Sequence, residues 1–150
     1  MTERPGALLS GAALATFKLN GQFLEVAERL ARPVGLTAAW WQVLGAVLQT
    51  PLPVAGIARE MGITRQSVQR IADLLVDKGL AEYEPNPAHR RAKLLRPTAE
   101  GLAAVHRIGP AQAEVAQRLV DELGTDEFRH MVEVLERLSK ALDAIDQDYG

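Results

Sequence analysis

The sequence predicts a mainly α fold: a winged helix-turn-helix with a two-stranded wing, flanked by N- and C-terminal helices. Three observations predict it. Residues 57–79 hold two short amphipathic helical patterns joined by a tight turn at Gly62. Residues 80–96 follow with two strand patterns around a Pro/Asn-rich tip that carries Arg90 and Arg91. Apolar residues at helical spacing run through 8–31 and 126–146 on either side of this block.

The elements follow in order. Over 8–31, Leu9, Ala13, Phe17, Phe23, Leu24, Ala27 and Leu30 suit one broad apolar face. Asn20-Gly21 interrupts that face as a surface irregularity, with a kink or a close approach as the other readings. Pro33 and Gly35 break the chain, and Thr37 caps a helix over 37–49. A short helix over 54–61 ends where Gly62 supplies a left-handed turn. Thr64 caps the next helix, 65–78, which Gly79 closes. Strands at 80–84 and 92–96 enclose a tip at 85–89, and alternation over 92–96 sends Leu94 inward and Lys93 and Leu95 outward. Thr98 caps a long helix to about 123, with a kink or break expected at Pro110. Gly124-Thr125 resets the chain before a last helix, 126–146, bearing Phe128, Met131, Leu135, Leu138, Leu142 and Ile145.

Composition narrows the class. The chain has 150 residues, 47% hydrophobic and 24% charged, which suits a globular protein. Cysteine is absent, so disulfides, thiolate zinc sites and thiol switches are excluded. No apolar run matches a membrane span and no cationic leader precedes an apolar stretch, so no membrane partner and a cytoplasmic location are expected. The net charge of −2 hides a polarity. Residues 53–97 hold eight basic and five acidic side chains, whereas 121–150 hold three and nine. Such a middle section suits phosphate, and such an end is repelled by it.

The residues in that middle section carry chemistry. On 65–78, Val68, Ile71, Ala72 and Leu75 share one face, for packing against Ile57, Ala58 and Met61. The opposite face opens with Arg65, Gln66, Ser67, Gln69 and Arg70 behind Thr64. Arg can donate bidentately to a guanine edge and Gln can pair with adenine. Their place in the first turns is where a recognition helix meets bases, while Asp73 and Asp77 lie where it leaves the groove. His89, Arg90, Arg91 and Lys93 make the tip cationic, with Arg96 behind them, for phosphates or a narrow minor groove. Double-stranded DNA is the expected partner. A winged-helix module that binds another protein is the alternative.

An enzyme is not expected. His89, His106 and His130 are scattered, with no paired metal-ligand spacing. A phosphate-binding glycine loop and a nucleophile elbow are also missing. No cofactor is expected.

Taken together, these landmarks resemble the MarR family of bacterial regulators. The matching residues are Leu36-Thr37, Trp41, Val43-Leu44, Ile57-Ala58, Met61-Gly62, Val68, Leu75, Lys78-Gly79-Leu80, Arg90-Arg91-Ala92, Thr98 and Gly101. The resemblance implies a homodimer built by 1–35 and 99–150, carrying a DNA-binding domain at 36–98 on each side. It implies a transcriptional regulator, by family default a repressor, on a pseudo-palindromic operator. It also implies release by a small aromatic or phenolic acid, here against a pocket of Phe17, Trp40, Trp41 and Leu44. Trp40 stands where the family is usually polar, and its alternative place is in packing at the dimer interface or the first helix. Other departures are His89 and Asn86 where acids are common, Tyr83 where a base is frequent, and Pro97 in place of Leu.

Overall fold

The computed structural model describes residues 3–149. Helix α1 spans Pro5–Ala31, opened by Pro5 in its first turn, where a missing N–H costs nothing. It runs unbroken through Asn20-Gly21, and a Cβ at Gly21 would meet no neighbour, so the pair is a surface irregularity. A 3-10 turn at Arg32–Val34 ends in Gly35 at φ 82°. Helix α2 then covers Ala38–Ala46. Two of its orphan N–H groups are satisfied by side chains. Thr37 Oγ1 accepts from Trp40 N at 3.1 Å, and Glu28 Oε2 accepts from Ala38 N at 2.9 Å. The helix stops three residues before the expected 49, because the chain must extend towards Pro51 and Pro53.

Strand β1 (Leu52–Pro53) leads into α3 (Val54–Met61), and Gly62 turns the chain at φ 67°. Helix α4 follows at Arg65–Asp77, and Gly79 ends it at φ 75°. The wing strands are β2 (Ala81–Glu84) and β3 (Leu94–Pro97). They form the two-stranded wing expected, and β1, from before α3, adds a third strand in an antiparallel sheet of order β1-β3-β2.

The register of β3 also differs from expectation. Leu95 lies opposite both Tyr83 of β2 and Leu52 of β1, and its side chain is fully buried. Leu94 is only half-buried. Leucines stand side by side at 94 and 95, so alternation alone does not say which faces inward, and in a sheet a slip of one residue reverses every side chain.

Helix α5 spans Ala99–Leu123 and remains helical through Pro110, so the expected break does not occur. Proline removes one donor, but helical residues on both sides retain theirs. Helix α6 covers Thr125–Tyr149 after Gly124 at φ 84°. The chain divides into two compact units, one up to Gly109 and one from Pro110. The first holds the core: Val43, Leu44, Ile57, Val68, Leu75, Leu95 and Ile108 are essentially inaccessible. Each such side chain contributes about 1.5–3 kcal/mol by burial.

The joint from wing to α5 is tight. Thr98 N donates to Leu80 O at 3.1 Å, and Thr98 Oγ1 donates to Gly79 O at 2.7 Å. The same hydroxyl accepts from Gly101 N at 3.1 Å, the cap expected of Thr98. Gly101 is buried against Leu80, and a Cβ there would overlap the Leu80 carbonyl.

Candidate nucleic-acid interface

Helix α4 is placed by its apolar side. Val68, Ile71, Ala72 and Leu75 are buried, and Ile57 and Ala58 of α3 are buried in the same core. That fixes the rotation of α4, so Arg65, Gln66, Gln69 and Arg70 must project outward, and all four are exposed. Thr64 caps the helix by accepting from Ser67 N at 3.1 Å, and its hydroxyl also donates to Ser67 Oγ at 3.0 Å. These two expected contact residues are thus bonded to each other.

An open groove of about 560 Å³ lies beside this face. Arg65, Gln66 and Gln69 line it from α4, and Tyr83 lines it from β2. Arg91, Ala92 and Lys93 of the wing line it too, as do Pro53, Val54 and Ala55. The groove therefore gathers Arg65, Gln66, Gln69, Arg91 and Lys93. Arg70, His89 and Arg90 are exposed outside its lining. Among the described residues no carboxylate lines it.

The cations differ in their partners. Arg96 is held across the sheet, with Nε 3.0 Å from Glu82 and Nη1 3.5 Å from Glu84. Arg96 thus has carboxylate neighbours at the surface. Among the described residues, no carboxylate lies within ion-pair distance of Arg65, Arg70, Arg90, Arg91 or Lys93. The tip that carries the arginines is folded on itself. Asn86 Oδ1 accepts from Ala88 N at 3.0 Å, and Asn86 O accepts from His89 N at 3.2 Å. Asn86, standing where an acid is common, builds an Asx turn.

One network was not legible in the sequence. Tyr83 Oη donates to Asp73 Oδ1 at 2.6 Å, and Gln69 Nε2 donates to both. Burial, then the bond to Asp73 and its charge, pushes the Tyr83 phenol up to about 12. The signal lies 10 and 14 residues apart in sequence and appears only when β2 packs beside α4.

The four residues expected to line an effector pocket have different surroundings. Leu44 is fully buried in the core, Trp40 and Trp41 are half-buried against it, and Phe17 is 70% exposed on α1. Among the described residues there is no cluster of His, Asp and Glu suited to a metal, and no helix long and apolar enough to cross a membrane.

A helix-turn-helix followed by a two-stranded hairpin with a basic tip defines a winged helix-turn-helix protein. The sequence profile of the MarR family matches residues 34–92. An uncharacterized protein of Mycobacterium tuberculosis is 38% identical over 85% of this chain and 90% of its own. The transcriptional repressor CouR, solved on a 23-mer DNA duplex, is 27% identical with a TM-score of 0.72, over 93% of this chain and 99% of its own. CouR from Rhodococcus jostii RHA1 bound to p-coumaroyl-CoA superposes with a TM-score of 0.74 at 20% identity, covering 85% and 90%. The chain belongs to the MarR family of DNA-binding transcription regulators.

Proposed function

We propose that this regulator is a homodimeric repressor that docks α4 in the major groove while the wing grips the neighbouring backbone. The observation that carries the reading is the groove face itself. Arg65, Gln66 and Gln69 share one groove with Arg91 and Lys93, and among the described residues no carboxylate lines it. Arg and Gln at the start of an exposed helix suit base edges, and unpaired wing cations suit phosphates. Arg70, Thr64, Ser67, His89 and Arg90 complete the contact set from the surrounding surface.

Dimerisation falls to the flanking helices, residues 1–35 and 99–150, with 36–98 as the DNA-binding part. On α6 no described residue is buried, and Met131, Leu135, Leu138, Leu142 and Ile145 stay 38–52% exposed. On α1, Leu8, Leu9, Leu14, Phe17 and Phe23 are 56–70% exposed. Contiguous apolar faces of this extent suit a protein partner, and two-fold symmetry makes a second copy the simplest one. Two-fold symmetry also predicts half-sites about one helical turn apart.

Release by a small aromatic effector is part of the same reading. Its support is the aromatic CoA ester seen on CouR, together with Trp40 and Trp41 half-buried against the core that holds Leu44, and Phe17 exposed on α1. The test is a salt-titrated binding assay on the upstream region of its own gene, repeated with aromatic acids and their CoA esters. Saturable, salt-sensitive duplex binding by a dimer is expected. Failure to bind any duplex at low salt would overturn it. Ligand quenching of Trp fluorescence that survives Trp40→Ala would remove Trp40 from the pocket.

A further inference from the structure

Gln69, Asp73 and Tyr83 close a network across the joint between α4 and β2. The Gln69 amide nitrogen lies 3.0 Å from Asp73 Oδ1 and 2.9 Å from Tyr83 Oη. The phenol donates to that same carboxylate oxygen at 2.6 Å. A carboxylate only accepts, so the amide must turn its nitrogen, not its oxygen, towards Asp73. The Tyr83 proton is already spent on Asp73, so Tyr83 offers Gln69 a lone pair and demands the nitrogen as well. Turning the amide over would set its carbonyl against two acceptors. The raised pKa of about 12 keeps the phenol proton in place at neutral pH.

The three atoms form a nearly equilateral triangle. Both acceptors therefore lie on one side of the amide, and among the described residues Gln69 Oε1 has no hydrogen-bond partner. Gln69 is exposed and lines the groove. A glutamine free to turn over offers either a donor or an acceptor to a base. This one has lost that freedom.

We infer that Asp73 and Tyr83 are positioning residues that lock Gln69 as an acceptor, so that it selects a base carrying an exocyclic amino group, adenine or cytosine, at one position of each half-site. In the major groove adenine presents N6–H and cytosine N4–H. Guanine and thymine present only acceptors for hydrogen bonding there, and would leave Gln69 Oε1 facing O6, N7 or O4 with no proton between. The inference rests on the proposed docking of α4 in the major groove.

Selection from a randomised duplex pool by the full-length protein tests it. Wild type should favour adenine or cytosine about tenfold over guanine or thymine at one position per half-site. Gln69→Ala should flatten that position and so identify it. Tyr83→Phe and Asp73→Ala should each admit guanine and thymine there, cutting discrimination to about threefold or less. Tyr83→Phe should change that position far more than any other and should keep the wild-type unfolding transition, which a general loss of structure would not. The inference is overturned if the position lost in Gln69→Ala reads guanine or thymine in wild type. It is equally overturned if no position flattens, or if both positioning variants keep the wild-type preference. In these cases an enriched palindrome leaves the docking intact. A wild-type protein that enriches no sequence removes the docking and this inference together.

Discussion

Helices α4 and α6 are both amphipathic, and they end in opposite states. The 13 residues of α4 bury Val68, Ile71, Ala72 and Leu75 within the chain, while the 25 residues of α6 bury none. In α4 the apolar side is satisfied and the polar side is left to meet a partner. In α6 the polar side is solvated and the apolar side is left over. The same periodicity thus specifies two kinds of surface, and what a helix packs against decides which face remains for function.

The largest effect should come from α6. A charge at Leu138, Leu138→Glu, together with Leu142→Glu, should convert the proposed dimer to monomer and weaken operator binding by about 10²-fold or more, since each half-site then binds alone. Sedimentation and anisotropy would show it, and a variant that stayed dimeric would place the interface elsewhere. Next is α4. Leu75→Ala should lower stability by about 2–5 kcal/mol in urea unfolding, through lost burial and a cavity. Gly101→Ala should follow at about 1–3 kcal/mol, because its new methyl meets the Leu80 carbonyl.

Smaller effects separate the wing cations. Arg91→Ala should flatten the salt dependence of DNA binding by about one charge. Arg96→Ala should leave that slope unchanged and cost under about 1 kcal/mol, its exposed pairs with Glu82 and Glu84 being weak. The smallest effect is on the Tyr83 titration. Its raised pKa favours the protonated phenol in the folded state, so this contribution holds below pH 10 and fades as pH rises through about 12. Asp73→Ala should lower the midpoint seen by ultraviolet titration while burial keeps part of the shift.

Much of this fold is written in single residues with local physical roles. Thr37, Thr64 and Thr98 cap helices, and Gly62 and Gly79 adopt positive φ at helix ends, as their places in the sequence predict. The exposed Arg/Gln face of α4 was equally legible, because its buried face is. Strand β1 was not, since it has two residues, one of them proline, and exists only by pairing with β3. The face of β3 depends on the same pairing. The partners of Arg96 and Gln69 were hidden for a related reason: adjacent strands supply them, and no periodicity within one element reports a neighbour.

The contact of Gly101 with Leu80 has a mechanical consequence. Backbone rests on backbone there, with no side chain between to deform, and Thr98 fastens both sides of the seam. A tilt of the first turn of α5 would therefore press directly on the Leu80 backbone, at the root of the hairpin that carries the arginines.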